Sequence, residues 1–268
     1  MTAEIYAEAF VNYVKGVLQN VPKDGCSVIA SLNIPLTAKE AEAVLGAVAA
    51  DADFGACLGE AAKYIAVAVA NIPGSAAVLE DKLRGLIAEL EGRGLHREAF
   101  AVATAGAKSG SPRLLSYVAP RGWAEEVLYA ELSFDLARGV IDEGVYFDLG
   151  EVAMRAVLIA CRAGPTPCRY AKAALFSRLA ANFAFANQLD IAEEYIEKAL
   201  EAFEELESSF NASELGEYLD ILFPFGWNDN SAKVVMGYLT FIVYSTAASV
   251  YRNVDDWKMF AYIEELYR

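Results

Sequence analysis

The chain has 268 residues, of which 56% are hydrophobic, and its formal net charge is −15. A chain of this size and composition can bury a substantial core, which excludes a mainly disordered protein. Because the chain has 37 acidic and only 22 basic residues, the electrostatic field of the whole protein repels polyanions. We therefore expect no nucleic-acid partner, and basic or neutral partners instead.

The amino terminus reads "MTAEIYAEAFVNYVKGVLQN" and carries acidic Glu4 and Glu8 with no basic leader before a compact apolar run. This pattern is not typical of a signal peptide, so a cytoplasmic location is expected. The most apolar stretch, residues 234–250, is about 17 residues long and includes several hydroxyl side chains, whereas a membrane span needs roughly 20 apolar residues. The stretch predicts a buried core helix, with no membrane partner.

Apolar residues recur at helical spacing throughout, and no stretch alternates over the length of a strand, which predicts an all-α fold. Segments with proline or glycine predict where helices end. They are "NVPKDG", "NIPGS", "SGSP", "APRG", "AGPTP" and "FPFGWNDN". Short connections between about a dozen helices make successive helices antiparallel neighbours. Without a long linker, we expect one helical domain over 1–268. An alanine-rich N-terminal lobe over 1–72 and a hairpin region over 75–268 are its possible subdivisions.

Three helix entrances are marked by an oxygen-bearing cap that precedes a glutamate by three residues, a spacing that satisfies free N–H groups. The pairs are Thr37 with Glu40, Asp190 with Glu193, and Asn211 with Glu214. Each pair predicts that a helix begins at its first member.

The clearest pattern covers residues 173–206. In its second half one helical face is apolar and the other is glutamate-rich, which predicts a surface helix packed on one side. The helix before it is apolar on more of its circumference, and Asn187 between them is a residue that tolerates the left-handed conformation that ends a helix. The residues at the contact are Phe176, Leu179, Ala180, Phe183, Ala192, Tyr195, Ile196, Ala199, Leu200, Phe203 and Leu206.

This segment resembles the tetratricopeptide repeat (TPR) family, in which aromatic, leucine and small residues recur at fixed positions of a helical hairpin. The family's positions fall on Phe176, Leu179, Ala180, Phe183, Asn187, Ala192, Ile196 and Ala199. Asn187 departs from the usual turn glycine, and Glu204 stands where a proline is common. Weaker resemblances cover 83–112, with Gly94 as the turn residue, and 133–161, with Gly144. The resemblance implies a TPR-like repeat or α-α superhelix. Because the three turns are about 50 and 43 residues apart, an irregular helical bundle is the alternative.

The resemblance also implies a function, because the first helix of each hairpin lines the concave surface of such proteins. Ser177, Arg178, Ala181 and Phe185 fall at these positions. The family's pattern of Lys and Asn that captures a peptide carboxylate is absent there. The expectation is a non-catalytic scaffold that binds a protein or peptide in a mainly apolar groove, with Arg178 as its polar anchor.

No catalytic, metal or cofactor site is expected. His96 is the single histidine and lies in a predicted turn, and adjacent carboxylates on a helix point about 100° apart, so they do not converge. The alternative function is a small-anion or metabolite-binding protein, or an enzyme, with a pocket lined by tyrosines and by Arg155, Arg162 or Arg178. A third is self-association through the aromatic C-terminal helices.

Charge is unevenly distributed along the chain. Residues 151–180 hold five basic residues and one acid, whereas 190–230 hold twelve acids and only Lys198 as a base. Either the basic helices pack against the acidic ones, or they line a groove that faces an acidic ligand.

The four cysteines form no CxxC pair, a pattern that does not favour a zinc site, and free buried thiols are the default interpretation. Cys161 and Cys168 flank "RAGPTP", a turn that can bring two helix ends together, so a disulfide between them is the alternative. The scarcity of glutamine, with only Gln19 and Gln188, hints at a thermophilic source.

Overall fold

The computed structural model describes residues 57–72, 74–137 and 143–267, together with Ala9, Asn12 and Cys26. Every regular element in this part of the chain is helical, which confirms the all-α prediction. The proposed cap at Thr37 and most of the alanine-rich lobe lie outside the described residues. The chain divides into two compact units, Met1–Ala119 and Pro120–Arg268. The division falls in "APRG", where a proline and a glycine interrupt the helices.

The first unit contains α1 (Leu58–Ala70), α2 (Ser75–Gly92), α3 (His96–Lys108) and a 3₁₀ turn (Pro112–Tyr117). Helix α3 packs against both α1 and α2, and its nine residues from Ala99 to Ala107 are all buried. Close packing depends on Gly106, where an added Cβ would lie 2.3 Å from Cδ1 of Leu114. Gly94 has φ +76° in the turn between α2 and α3, as expected for the weaker hairpin over 83–112.

The second unit contains seven α-helices among its described residues. They are α4 (Trp123–Ala137), α5 (Glu143–Ala163), α6 (Pro165–Phe185), α7 (Leu189–Ser209), α8 (Gly216–Leu222), α9 (Asp229–Asn253) and α10 (Trp257–Tyr267), with a 3₁₀ turn (Ala212–Leu215) before α8. Helix α6 is the centre of this unit, because it packs against α4, α5, α7 and α9. Its residues from Ala173 to Ala180 are all buried, so only its carboxyl-terminal end offers much free surface.

The α6–α7 hairpin lies where the sequence predicts one, and it extends beyond 173–206 at both ends. The apolar stripe of α7 is buried and most of its glutamates are exposed, and Asn187 has φ 60° in the turn. One detail is wrong: Gln188 precedes the first helical residue, and Asp190 lies inside the first turn without capping it. Its charge is still near the positive end of the helix dipole. Asn211 does cap its turn, since its side chain accepts a hydrogen bond from the Ser213 backbone N–H.

The turn predicted at Gly144 is wrong, because this residue lies within α5. The connection between α4 and α5 falls in residues 138–142, outside the described part of the chain. Conversely, neither glycine nor proline marks the turn between α9 and α10. There Asp255 adopts φ 59°, and the Asp256 carboxylate accepts the N–H groups of Lys258 and Met259 at the start of α10.

Helix α9 contains the apolar stretch 234–250. Among the described residues it is the one helix whose length and composition would allow it to cross a membrane, although the core helices of soluble proteins meet the same test. One side is buried against α6, α7 and α10. The other side is exposed and includes Val234, Tyr238 and Phe241, so the prediction of a buried core helix holds for one face only.

The basic segment pairs with acids on two neighbouring helices. On α6, Arg169 Nε donates to Glu205 Oε2 of α7 over 3.0 Å, which joins the basic and acidic segments. On α5, Arg155 Nη2 donates to Glu126 Oε2 of α4 over 2.7 Å. Some residues of the basic segment are therefore paired within the unit, and one of these pairs joins the basic segment to the acidic one.

All four cysteines are paired, contrary to the default expectation of free thiols. Cys161 and Cys168 form a disulfide between the end of α5 and the start of α6, with Cα atoms 4.0 Å apart. Cys26 and Cys57 form a second, with Cα atoms 5.3 Å apart. The first pair is the disulfide that the turn "RAGPTP" predicts as the alternative to free thiols. The second joins residues 31 apart, and nothing in the local sequence indicates it.

Candidate functional site

Arg178, the expected polar anchor of a groove, is instead buried in an ionic cluster between α4 and α6. Its side chain is 4% exposed, and its Nη1 lies 3.2 Å from Oε1 of Glu131, which is itself 6% exposed. The same nitrogen donates to the Ala174 carbonyl oxygen over 3.0 Å, and Nε lies 3.7 Å from Oδ1 of Asp135. Ser177 is fully buried beside it. Neither residue lines an open surface, which corrects the assignment made by resemblance.

A tyrosine from α8 closes this cluster. The Tyr218 hydroxyl donates to Glu131 Oε2 over 2.5 Å, and its ring lies 4.8 Å from that of Tyr170 and 6.2 Å from that of Trp123. Burial, followed by the charge of Glu131, raises the pKa of both tyrosines well above the ordinary value. Both hydroxyls are therefore neutral at physiological pH and act as hydrogen-bonding groups.

Arg178 also keeps its charge. Burial alone lowers its pKa, but the charges of Glu131 and then Asp135 more than offset this, and the net shift is upward. Because the guanidinium is already bound to these carboxylates, the cluster offers no free cation to an anionic ligand. Its effect is to join α4, α6 and α8 through one set of buried polar contacts.

An open groove does exist, one turn further along α6. It has a volume of about 420 Å³ and lies between the carboxyl-terminal halves of α6 and α9. It is lined by Ala181, Ala184, Phe185, Ser245, Thr246, Ser249, Val250 and Asn253. Two of the residues expected in a groove, Ala181 and Phe185, are therefore in it. Arg155 and Arg162 are exposed on α5 and are not among its lining residues.

The two walls of the groove differ in chemistry. On α6 the wall is apolar, and Phe185 at its edge is 63% exposed. On α9 the wall carries hydroxyl and amide groups. Ser245 Oγ donates to the Ile242 carbonyl oxygen over 3.3 Å, whereas the side chains of Thr246, Ser249 and Asn253 make no hydrogen bond within the described part of the chain.

The sequence analysis missed this polar wall because it treated the hydroxyl residues of 234–250 only as evidence against a membrane span. A signal was present: Ser245 and Ser249 are four residues apart, and Thr246 and Asn253 are seven apart, which places both pairs along one side of a helix. No charged side chain lines the groove. A neutral ligand group is therefore the one that its walls can accommodate without burying an unpaired charge.

A second cavity, of about 250 Å³, lies between α6 and α7 and contains charged residues. Three basic side chains line it, but so do the carboxylates of Glu201 and Glu205. Arg169 is bound to Glu205, and Lys198 Nζ lies 2.5 Å from Glu194 Oε1. With these charges already compensated, the cavity does not favour a small anion.

Metal and histidine chemistry find no support among the described residues. No three side chains of histidine, cysteine, aspartate or glutamate there lie close enough to hold a metal ion. His96 is the first residue of α3, and its Nδ1 lies 2.6 Å from Oε2 of Glu91. The histidine is thus engaged in a local contact at a helix start.

Comparison with protein-family models, with curated protein sequences and with solved structures finds no significant match to this chain. The resemblance to tetratricopeptide repeats stays a prediction. The functional interpretation accordingly rests on the chemistry of the groove between α6 and α9.

Proposed function

We propose that the second unit is a non-catalytic binding module that holds a segment of a partner polypeptide in the groove between α6 and α9. The observation that supports this proposal is that one wall of the groove is apolar, whereas the opposite wall carries hydroxyl and amide side chains that make no hydrogen bond within the described residues. An extended peptide presents both kinds of surface, because its backbone can bond to Thr246, Ser249 and Asn253 while its side chains contact Phe185.

The dimensions fit a short segment. Thr246 and Asn253 are seven residues apart on α9, which at about 1.5 Å per residue corresponds to roughly 10 Å. An extended chain advances about 3.3 Å per residue, so this wall spans roughly three peptide residues. Longer contact is available along α9, since Val234, Tyr238 and Phe241 are exposed on the same helix.

The arrangement of helices supports the same function. In the second unit α4 packs with α5, α6 with α7 and α9 with α10, and α6 packs against both α4 and α9. A stack of antiparallel hairpins of this kind is the architecture that the TPR resemblance implies. In such proteins the first helices of the hairpins face the ligand, and here α6 and α9 hold that position in their hairpins.

The experiment is a binding screen with matched variants. A phage-displayed peptide library would be selected on the intact protein, and selected peptides would be titrated by fluorescence anisotropy. Phe185→Ala and Ser249→Ala should weaken binding about 5-fold to 30-fold each, as expected for residues that contribute about 1–2 kcal/mol to an interface.

Leu158→Ala is the matched control, because Leu158 on α5 is 56% exposed and does not line the groove. Circular dichroism would establish that each variant is folded. Equal loss of binding in the control, or unchanged affinity in both groove variants, would rule out the groove as the binding site.

A further inference from the structure

We propose that the groove selects a peptide that carries a lysine or arginine side chain at the end where α6 and α9 finish, followed by about three neutral residues. This inference rests on the proposed function and specifies the chemistry of the ligand. It concerns the electrostatic potential at one end of the groove. The uncharged walls do not determine this potential.

Two helices end at the groove. Phe185 is the last residue of α6 and Asn253 is the last residue of α9, and both line the groove. The carboxyl-terminal end of a helix carries the equivalent of roughly half a negative charge. Two such ends at one groove favour a positive group, and they disfavour the carboxylate end of a peptide.

The turns that follow these helices add full negative charges. Asp255 is exposed and lies two residues after Asn253, which is within about 7 Å along the chain. Asp190, also exposed, is five residues after Phe185 in the first turn of α7. Neither carboxylate accepts a hydrogen bond or forms an ion pair within the described residues.

Further carboxylates act on a residue near this end of α9. Burial, followed by the charges of Glu197 and Glu193 on α7 and then Asp256, raises the pKa of Tyr251 to about 12. Tyr251 does not line the groove, but it lies next to Val250 and two residues before Asn253, both of which do.

Positive charges nearby are fewer. Arg252 on α9 is exposed, and Lys198 on α7 is bound to Glu194. Over the whole second unit, residues 120–268 include 24 acidic and 12 basic residues, a net charge of −12, whereas residues 1–119 have 13 and 10, a net charge of −3. Most of the negative charge of the chain thus belongs to the unit that contains the groove. This net charge attracts a cationic segment of a peptide.

The test uses a positional-scanning library of acetylated, amidated octapeptides, in which capped ends leave side chains as the source of charge. The full-length protein would be immobilised, and bound peptides would be sequenced. We expect Lys and Arg to be enriched at least 5-fold at one position, with neutral residues at the positions that follow on one side.

Two double variants separate local charge from overall charge. Asp190→Asn with Asp255→Asn removes the carboxylates next to the groove, and asparagine tolerates the positive φ of residue 255. Asp148→Asn with Glu151→Gln removes two exposed acids from α5, which does not line the groove. The basic preference should fall at least 3-fold in the first variant and stay unchanged in the second. It should also weaken in 0.5 M salt.

The outcomes distinguish this inference from the proposed function. Suppose that Phe185→Ala abolishes peptide capture. If the peptides captured by the unaltered protein then show no basic position, or show an acidic enrichment that Arg252 would explain, the charge inference is overturned and the groove stands. If both double variants lose the preference equally, the effect is one of net charge and the inference is again overturned. If no peptide is captured, or capture is independent of Phe185, both proposals fail together.

Discussion

Replacing Arg178 by methionine should destabilise the protein strongly, because the change leaves the Glu131 carboxylate buried without its cation. Breaking a buried pair by removing one partner costs about 3–5 kcal/mol. Here Glu131 retains the hydrogen bond from Tyr218, so we expect a loss near the lower end, about 3 kcal/mol. Glu131→Gln should cost less, about 2 kcal/mol, because Asp135 remains near the guanidinium.

The double variant Arg178→Met with Glu131→Gln removes both buried charges together. It should cost clearly less than the sum of the single changes, with a coupling free energy of about 2 kcal/mol. Urea unfolding followed by circular dichroism would measure all four proteins, and an unchanged m-value would show that the unfolding reaction is the same.

The pH dependence provides a second measurement. Without Arg178, the buried cluster holds negative charge that no cation balances, and acid removes this charge by protonating carboxylates. The deficit of Arg178→Met should therefore be smaller in acid than at neutral pH. A deficit independent of pH would contradict the assignment of the loss to an unpaired carboxylate.

Arg155→Met is the matched control. Arg155 also donates to a glutamate of α4, but its side chain is 55% exposed, and pairs of this kind contribute about 0–1 kcal/mol. A loss below 1 kcal/mol for Arg178→Met, or additive single effects in the cycle, would refute the reasoning that burial makes the two arginines different.

Three other predictions concern separate features of the chain. Without reduction, Cys161 and Cys168 should take up no alkylating reagent in a mass-spectrometric assay, and their joint replacement by alanine should cost about 2.5 kcal/mol in urea unfolding; alkylation of the untreated protein would contradict the pairing. Tyr251, whose pKa is raised to about 12, should ionise late in a titration followed at 295 nm, and the stability that this raised pKa confers should be complete below pH 10 and lost as the pH passes 12; Tyr251→Phe should reduce the amplitude of the late step by one tyrosine, and an unchanged titration would disprove the assignment. Gly106→Ala should lower stability by about 1–3 kcal/mol because the new Cβ would collide with Leu114, and Gly106→Ala with Leu114→Val should recover part of the loss in thermal unfolding; a neutral single change would show that the contact is loose.

The α6–α7 hairpin could be predicted because its information is local. The apolar stripe of α7, its glutamate face and the left-handed Asn187 all depend on residues within a few turns of each other. The α9–α10 turn could not, since Asp255 adopts a positive φ without glycine. Local patterns thus define helices well and the exceptional turns poorly.

The candidate site was predictable only in part, for a different physical reason. Ala181 and Phe185 follow from their position on α6, but the opposite wall comes from α9, about 65 residues later in the chain. Arg178 shares the helix with them and still points into the interior, because Glu131 lies 47 residues earlier on α4. Which side of a helix becomes a groove depends on packing between distant segments, and periodicity alone does not contain that information.

The unequal burial of the two walls has a consequence for how such a groove can diversify. Substitutions on α6 disturb the centre of the unit, because this helix packs against four others. Ser245, Ser249 and Asn253 are exposed on α9, where substitutions usually change stability by less than about 0.5 kcal/mol. If the groove binds a peptide as proposed, its preference can therefore change through substitutions on the α9 wall alone, while the residues of α6 stay the same.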